Sequence, residues 1–254
     1  MLEVLDVSKS YHGIPAVRSI SLKAVPGEAI GLLGPNGSGK STTVKMIVGL
    51  LRPTRGHILW RGVDIHDQLL AYQSIIGYVP EEPKLYSYLT AVEYLELVGG
   101  LRHIGNATLT RRIERYLELF GLSSDRYTPL SAFSKGMRQK VLISAALIHD
   151  PDIILLDEPN SGLDVASTLI LRTLVRSLAA RGKTIIYSSH VLDMVEKVCE
   201  RVLILHNSHV VAHDSVTRLR ELAQAASLEQ VFASLAVDQN VDEIGRELSL
   251  VGAS

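Results

Sequence analysis

Cysteine is almost missing: Cys199 stands alone in 254 residues, so no disulfide framework is possible, and without an H-E-x-x-H among nine histidines no zinc pattern appears either. A reducing, cytosolic setting is the simplest expectation. Cys199 falls in a helix-like stretch, 191–199, where a packed and inert thiol is expected. Charge of one sign is lacking too, since 26 Lys and Arg meet 27 Asp and Glu for a formal −1. That balance gives no global attraction to nucleic acid or anionic lipid, and such a partner must be met through a local surface. No apolar run approaches the ~20 residues that span a bilayer, and the first residues lack a charged-then-apolar signal pattern. Work at a membrane is therefore expected to proceed by docking. Internal repeats, low-complexity tracts and heptad runs are absent as well.

What is present has the balance of a globular chain, 46% hydrophobic and 21% charged, and one dense motif. Residues 34–42 read GPNGSGKST, between the apolar run 29–33 and a helix-like segment 43–51. A buried strand entering a glycine-rich turn and then a helix points several backbone N–H groups and the positive helix end at one spot, where an anion collects. Gly34, Gly37 and Gly39 allow the turn and the close approach. Lys40 adds a cation for the outer phosphates, and Ser41 a hydroxyl for Mg²⁺. With Asn36, Ser38 and Thr42 the whole loop is expected to hold a nucleoside triphosphate. This motif alone fits kinases, GTPases, helicases and transport ATPases equally.

The rest of the chain narrows the choice. Segments 2–7 and 17–22 alternate as half-buried strands around a turn at 10–15, and 56–60 with 63–65 reads as a hairpin. A strand at 75–79 ends at Pro80. From Pro83 to His149 helical periodicity takes over: Thr90 and Glu93 form a capping box, a second helix covers 107–120, and a third starts near Lys135. Strands at 153–156 and 184–188 then alternate with helices at 165–180 and 192–199, and a hairpin at 202–212 turns at Asn207 and Ser208. The fold expected is α/β: a mostly parallel sheet of the P-loop NTPase kind, an N-terminal antiparallel layer and an inserted helical subdomain. The expected division is an ATP-binding core at 1–82 and 150–214, a helical subdomain at 83–149, and a helical tail at 215–254.

A second constellation lies at 152–159, DIILLDEP. Its apolar strand delivers Asp157 where Mg²⁺ held by Ser41 could be met, and Glu158 follows at once as the base or water-orienting group for hydrolysis. Two acids ending a buried strand are poorly explained as a solvated face. His190, directly after strand 184–189, emerges at the same sheet edge and can reach the γ-phosphate.

In order and spacing, the phosphate loop, the run Ser134-Lys135-Gly136-Met137-Arg138-Gln139, DIILLDEP, Ser161-Gly162-Leu163-Asp164 and Ser188-Ser189-His190 resemble the Walker A, signature, Walker B, D-loop and H-loop of nucleotide-binding subunits of ATP-binding cassette (ABC) transporters. The resemblance spans about 2–214. It implies an ATPase with ATP and Mg²⁺, paired with a second cassette, here a homodimer, and gripping a membrane permease on the cytoplasmic face. Tyr11 stands where such proteins stack an aromatic on adenine, or is a plain turn tyrosine. Ser134 and Gly136 would contact the γ-phosphate held by the other subunit. Asp164 would sit at the dimer seam, cap the following helix, or both. Lys135 and Met137 replace the usual glycine and glutamine of the signature, and Glu81 replaces the glutamine that ligates Mg²⁺, adding a negative charge near the phosphates. YVPEE, FSKGM and the tail run 227–232 resemble the subclass that exports drugs, lipids or polysaccharides. The permease contact is expected at Glu81 to Tyr88. A soluble cassette acting on DNA or ribosomes is the competing reading, although neither a coiled-coil insertion nor a second P-loop is present.

Overall fold

The computed structural model describes residues 1–82 and 84–236. β1 (Leu2–Tyr11) and β2 (Ile14–Ala24) form an antiparallel hairpin. Its turn is only His12 and Gly13, both at positive φ, and Ser10 pairs with Pro15 inside the segment expected to be loop. β3 (Ala29–Leu33) is wholly buried and enters α1 (Lys40–Ile47) through the glycine loop. β4 (Arg55–Trp60) and β5 (Val63–Asp64) make the short hairpin. A helix that the periodicity did not reveal follows, α2 (Leu69–Ser74). It is six residues long with no side-chain cap at Gln68, and its buried Tyr72 donates to the Ile47 carbonyl at 2.9 Å, tying it to the end of α1.

After β6 (Ile76–Val79) come three helices, α3 (Ala91–Leu101), α4 (Asn106–Leu119) and α5 (Lys135–Leu147). The capping box forms as read: Thr90 Oγ1 accepts from the Glu93 N–H, and Glu93 accepts from the Thr90 N–H. The remainder runs β7 (Ile153–Asp157), α6 (Val165–Ala180), β8 (Thr184–Ser189), α7 (Leu192–Val198), β9 (Arg201–His206), β10 (His209–Ser215), α8 (Val216–Leu222) and α9 (Leu228–Ala236). α7 stops before Cys199, which is extended and buried, and burial pushes its thiol pKa far up. The tail expected to be helical is so at α8 and α9; residues 237–254 lie outside the described residues.

Two sheets result. One has order β10-β9-β3-β8-β7-β6 and is parallel except for β10; the other, β2-β1-β4-β5, is antiparallel. The parallel sheet is covered on both faces, with strict period-two sorting. Ala29, Leu33, Ile154, Leu156, Ile185 and Tyr187 face the core built with helices α3 to α9. Ile30, Leu32, Ile153, Leu155 and Ile186 face α1 and the antiparallel layer. This is the mixed α/β architecture the sequence implied.

β6 meets α5 at Gly77, where a Cβ would stand 2.2 Å from the Ala146 carbonyl oxygen, whereas one at Gly100 in α3 would meet nothing within 4 Å. Gly77→Ala should therefore destabilise by ~1–3 kcal/mol. Gly100→Ala should stabilise by ~0.5–1 kcal/mol through helix propensity. Thermal unfolding of the two variants beside the parent checks both signs.

Candidate active site

The carboxyl ends of β3, β7 and β8 converge on a cleft of about 260 Å³ lined by Ala16, Asn36, Gly37, Gly39, Lys40, Ser41, Thr42, Glu81 and Glu158. Gly34, Gly37 and Gly39 all have positive φ. At Gly39 a Cβ would also strike the Ala16 carbonyl at 2.6 Å, so the loop packs on β2 with no room for a side chain. Gly39 is the N-cap of α1 and carries no capping side chain. First-turn N–H groups are therefore left for a ligand to satisfy. Thr43 Oγ1 donates to the Gly39 carbonyl at 2.8 Å and stiffens that turn. Ser38 is buried with its hydroxyl unpartnered among the described residues.

Lys40 folds back on its own loop, donating to the carbonyls of Gly34 at 2.7 Å and Pro35 at 3.1 Å. Burial lowers its pKa, opposed by the charges of Glu158, Asp157 and Glu81. At the end of β7, Asp157 is buried and its Oδ1 has no hydrogen-bond partner among the described residues. Burial raises its pKa, with the nearby hydroxyls of Ser188 and Ser41 pulling the other way and the Glu81 and Glu158 charges adding to the rise. Tyr78 of β6 feels the same field: burial, then Asp157 and Glu81, push its phenol up to about 12.

Glu158 sits at φ 47, a left-handed conformation costly for a residue with a side chain. Three donors fix its carboxylate. Oε1 accepts from the His190 backbone N–H at 2.9 Å and from His190 Nδ1 at 2.8 Å, and Oε2 from Ser189 Oγ at 3.1 Å. With the carboxylate as acceptor, Nδ1 carries a proton and Nε2 is the ring atom left for a substrate.

The other sequence-derived residues lie outside this cleft. Tyr11 ends β1, is 44% exposed, and has Lys9 Nζ 5.5 Å from its ring centroid. Ser134 is the N-cap of α5, its Oγ accepting from the Met137 N–H at 3.2 Å. Gly136 is required within the chain itself, because a Cβ there would lie 2.4 Å from the Gly162 carbonyl. Asp164 caps α6, accepting from the Ser167 N–H at 2.7 Å, and that bond holds its pKa below the ordinary carboxylate value. Two residues had no role from sequence. Ser188 is buried beside Asp157 across the β7–β8 register. Gln139, fully buried, donates to the Pro159 carbonyl at 3.1 Å. Their one visible signal was their place in the runs 134–139 and 188–190.

The donor set suits a hard cation shared with phosphate. No group of three or more His, Cys, Asp or Glu able to hold a metal occurs among the described residues, but magnesium needs only one or two carboxylates beside substrate phosphates. Asp157 with an orphaned oxygen, Ser41 and Glu81 meet that requirement. No helix among the described residues is long and apolar enough to cross a membrane.

The raised pKa of Asp157 sets a stability test. Its cost to the folded state begins as pH rises through the ordinary carboxylate pKa and is complete above the raised folded value. Asp157→Asn should therefore raise Tm of the nucleotide-free protein at pH 7 by about 2–4 °C, corresponding to roughly 1 kcal/mol. The gain should vanish as pH falls below the carboxylate range, which calorimetry against pH would follow.

The family model described as ABC transporter matches residues 17–161. The chain is 38% identical over 242 residues to the ABC transporter ATP-binding protein NatA of Bacillus subtilis, covering 93% of this chain and 98% of that protein. A solved ATP-binding subunit of an ABC transporter superposes with TM-score 0.87 at 34% identity, covering 92% of this chain and 99% of the other. The cassette MJ0796, solved as a dimer in a post-hydrolysis state bound to ADP and Pi, gives TM-score 0.79 at 27% identity over 85% of this chain and 98% of its own. Agreement in sequence and backbone over most of the molecule, with the phosphate loop and acidic strand end in one cleft, places the chain in the ABC transporter family as an ATP-hydrolysing, ATP-binding subunit.

Proposed function

We propose that two copies of this chain close around ATP and magnesium, and that hydrolysis drives a separate membrane permease, in the outward direction. One observation carries the reading: Glu158 is held by His190 and Ser189 at the rim of the phosphate cleft, with Lys40 and Asp157 within its electrostatic reach. A carboxylate pinned by three donors is pre-oriented to hold a water in line with the γ-phosphate and to take its proton. Lys40 exchanges its loop carbonyls for phosphate oxygens, and the open N–H groups of α1 take the rest of that charge. His190 presents Nε2 to the γ-phosphate. Ser41, Asp157 and Glu81 would hold magnesium, which would supply positive charge to offset that of the phosphates. Tyr11 stacks on adenine.

Ser134 and Gly136 stand outside the chain's own cleft and serve the nucleotide of the second copy, with Asp164 at the seam. The core is residues 1–82 and 150–214, the helical signature subdomain 83–149 and the tail 215–254. The permease docks near Glu81 to Tyr88, on the inner face of the membrane. Tyr86 and Tyr88 support that placement, being 55% and 73% exposed with ring centroids 6.0 Å apart. The export direction is supported by the FSKGM and YVPEE runs.

Glu158→Gln should bind ATP normally, lose hydrolysis by about 10²–10³-fold, and accumulate an ATP-dependent dimer visible by light scattering. Normal turnover in that variant removes Glu158 from its role. Replacing both Tyr86 and Tyr88 with Ala should leave ATP hydrolysis by the isolated chain intact while abolishing co-purification of a hydrophobic membrane protein.

A further inference from the structure

Two parts of this chain that serve different nucleotides in the proposed dimer are joined by one buried side chain. Gln139 lies in α5, five residues beyond Ser134, and is 0% exposed. Its Nε2 donates to the Pro159 carbonyl at 3.1 Å, and Pro159 directly follows Glu158. The same loop is pinned to the sheet on its other side, where Asn160 Nδ2 donates to the Tyr187 hydroxyl at 2.6 Å. Nearer the start of the helix the two pieces lie close without a polar link: a Cβ on Gly136 would stand 2.4 Å from the Gly162 carbonyl oxygen, and one on Gly162 would stand 2.8 Å from the Lys135 stem.

Gln139 Oε1 and Asn160 Oδ1 are both buried without a partner among the described residues. A buried amide left half satisfied is costly unless the half it does make has a use. An apolar residue of similar shape would fill the same space without an orphaned acceptor. The hydrogen bond from Gln139 to the catalytic loop is the gain that offsets this.

We infer that Gln139 is a positioning residue that makes the start of α5 and the Glu158 loop move as one body. Closure of Ser134 on the neighbour's nucleotide is thereby transmitted to the water-orienting carboxylate of the same chain. The inference rests on the two-copy reading above. Gln139 touches no nucleotide itself and acts through the Pro159 carbonyl.

The test is Gln139→Met, which keeps shape and removes the donor. Affinity of the single chain for a fluorescent ATP analogue should stay within about twofold and Tm should not fall, while kcat drops about tenfold, the scale of one buried hydrogen bond. The Hill coefficient for ATP should fall from about 2 towards 1. Gln139→Leu, which also lacks the donor and adds no charge, should show the same pattern, and serves if the Met variant folds poorly. Unchanged kcat and Hill coefficient in a folded variant overturn the inference, as does a loss of kcat matched by equal loss of ATP affinity and Tm, which is plain structural damage. If the parent itself shows neither ATP-dependent association in the Glu158→Gln background nor cooperative turnover, the two-copy reading fails, and that failure is read without any change at Gln139.

Discussion

A sheet buried on both faces can offer polar chemistry only where its strands end. In β3, β7 and β8 every residue within the strand is buried, so the polar groups gather at one rim: the glycine loop after β3, Asp157 and Glu158 at and after β7, Ser189 and His190 at and after β8. Their proximity follows from the β3–β8–β7 order, in which β8 pairs with both neighbours. Parallel connection puts all three carboxyl ends on the same side. Removing the sorting of apolar side chains between the two cores would scatter these groups however well each local motif survived.

Within that rim the residues are held away from their most relaxed arrangements. Asp157 is a buried carboxylate with one oxygen unpartnered among the described residues, and Glu158 holds a left-handed backbone. Both conditions oppose folding, and both are what a site awaiting a charged ligand requires. The apolar layers on either side of the sheet supply the stability that tolerates them.

Much of this was readable from residues alone because the signals were local. The phosphate loop, the capping box at Thr90, and α6 from Val165 to Ala180 need only their own neighbours to form. What escaped depends on partners distant in sequence. α2 is fixed by Tyr72 reaching Ile47, and Gln139 is held by Pro159, twenty residues on. Gly136 shows a further limit. Read as a phosphate contact, it also has a packing reason inside one chain, so a motif glycine can answer to two constraints at once.

Lys40 leads to one last consequence. Its ammonium donates to the carbonyls of Gly34 and Pro35, which supply the acceptors that phosphate oxygens supply in its proposed role. In that proposed role, nucleotide entry is a swap of partners for Lys40 rather than the creation of new ones, and the net affinity is smaller than the number of contacts suggests. Run backwards in that proposed role, the same swap lets the two loop carbonyls compete with departing phosphate for the one ammonium.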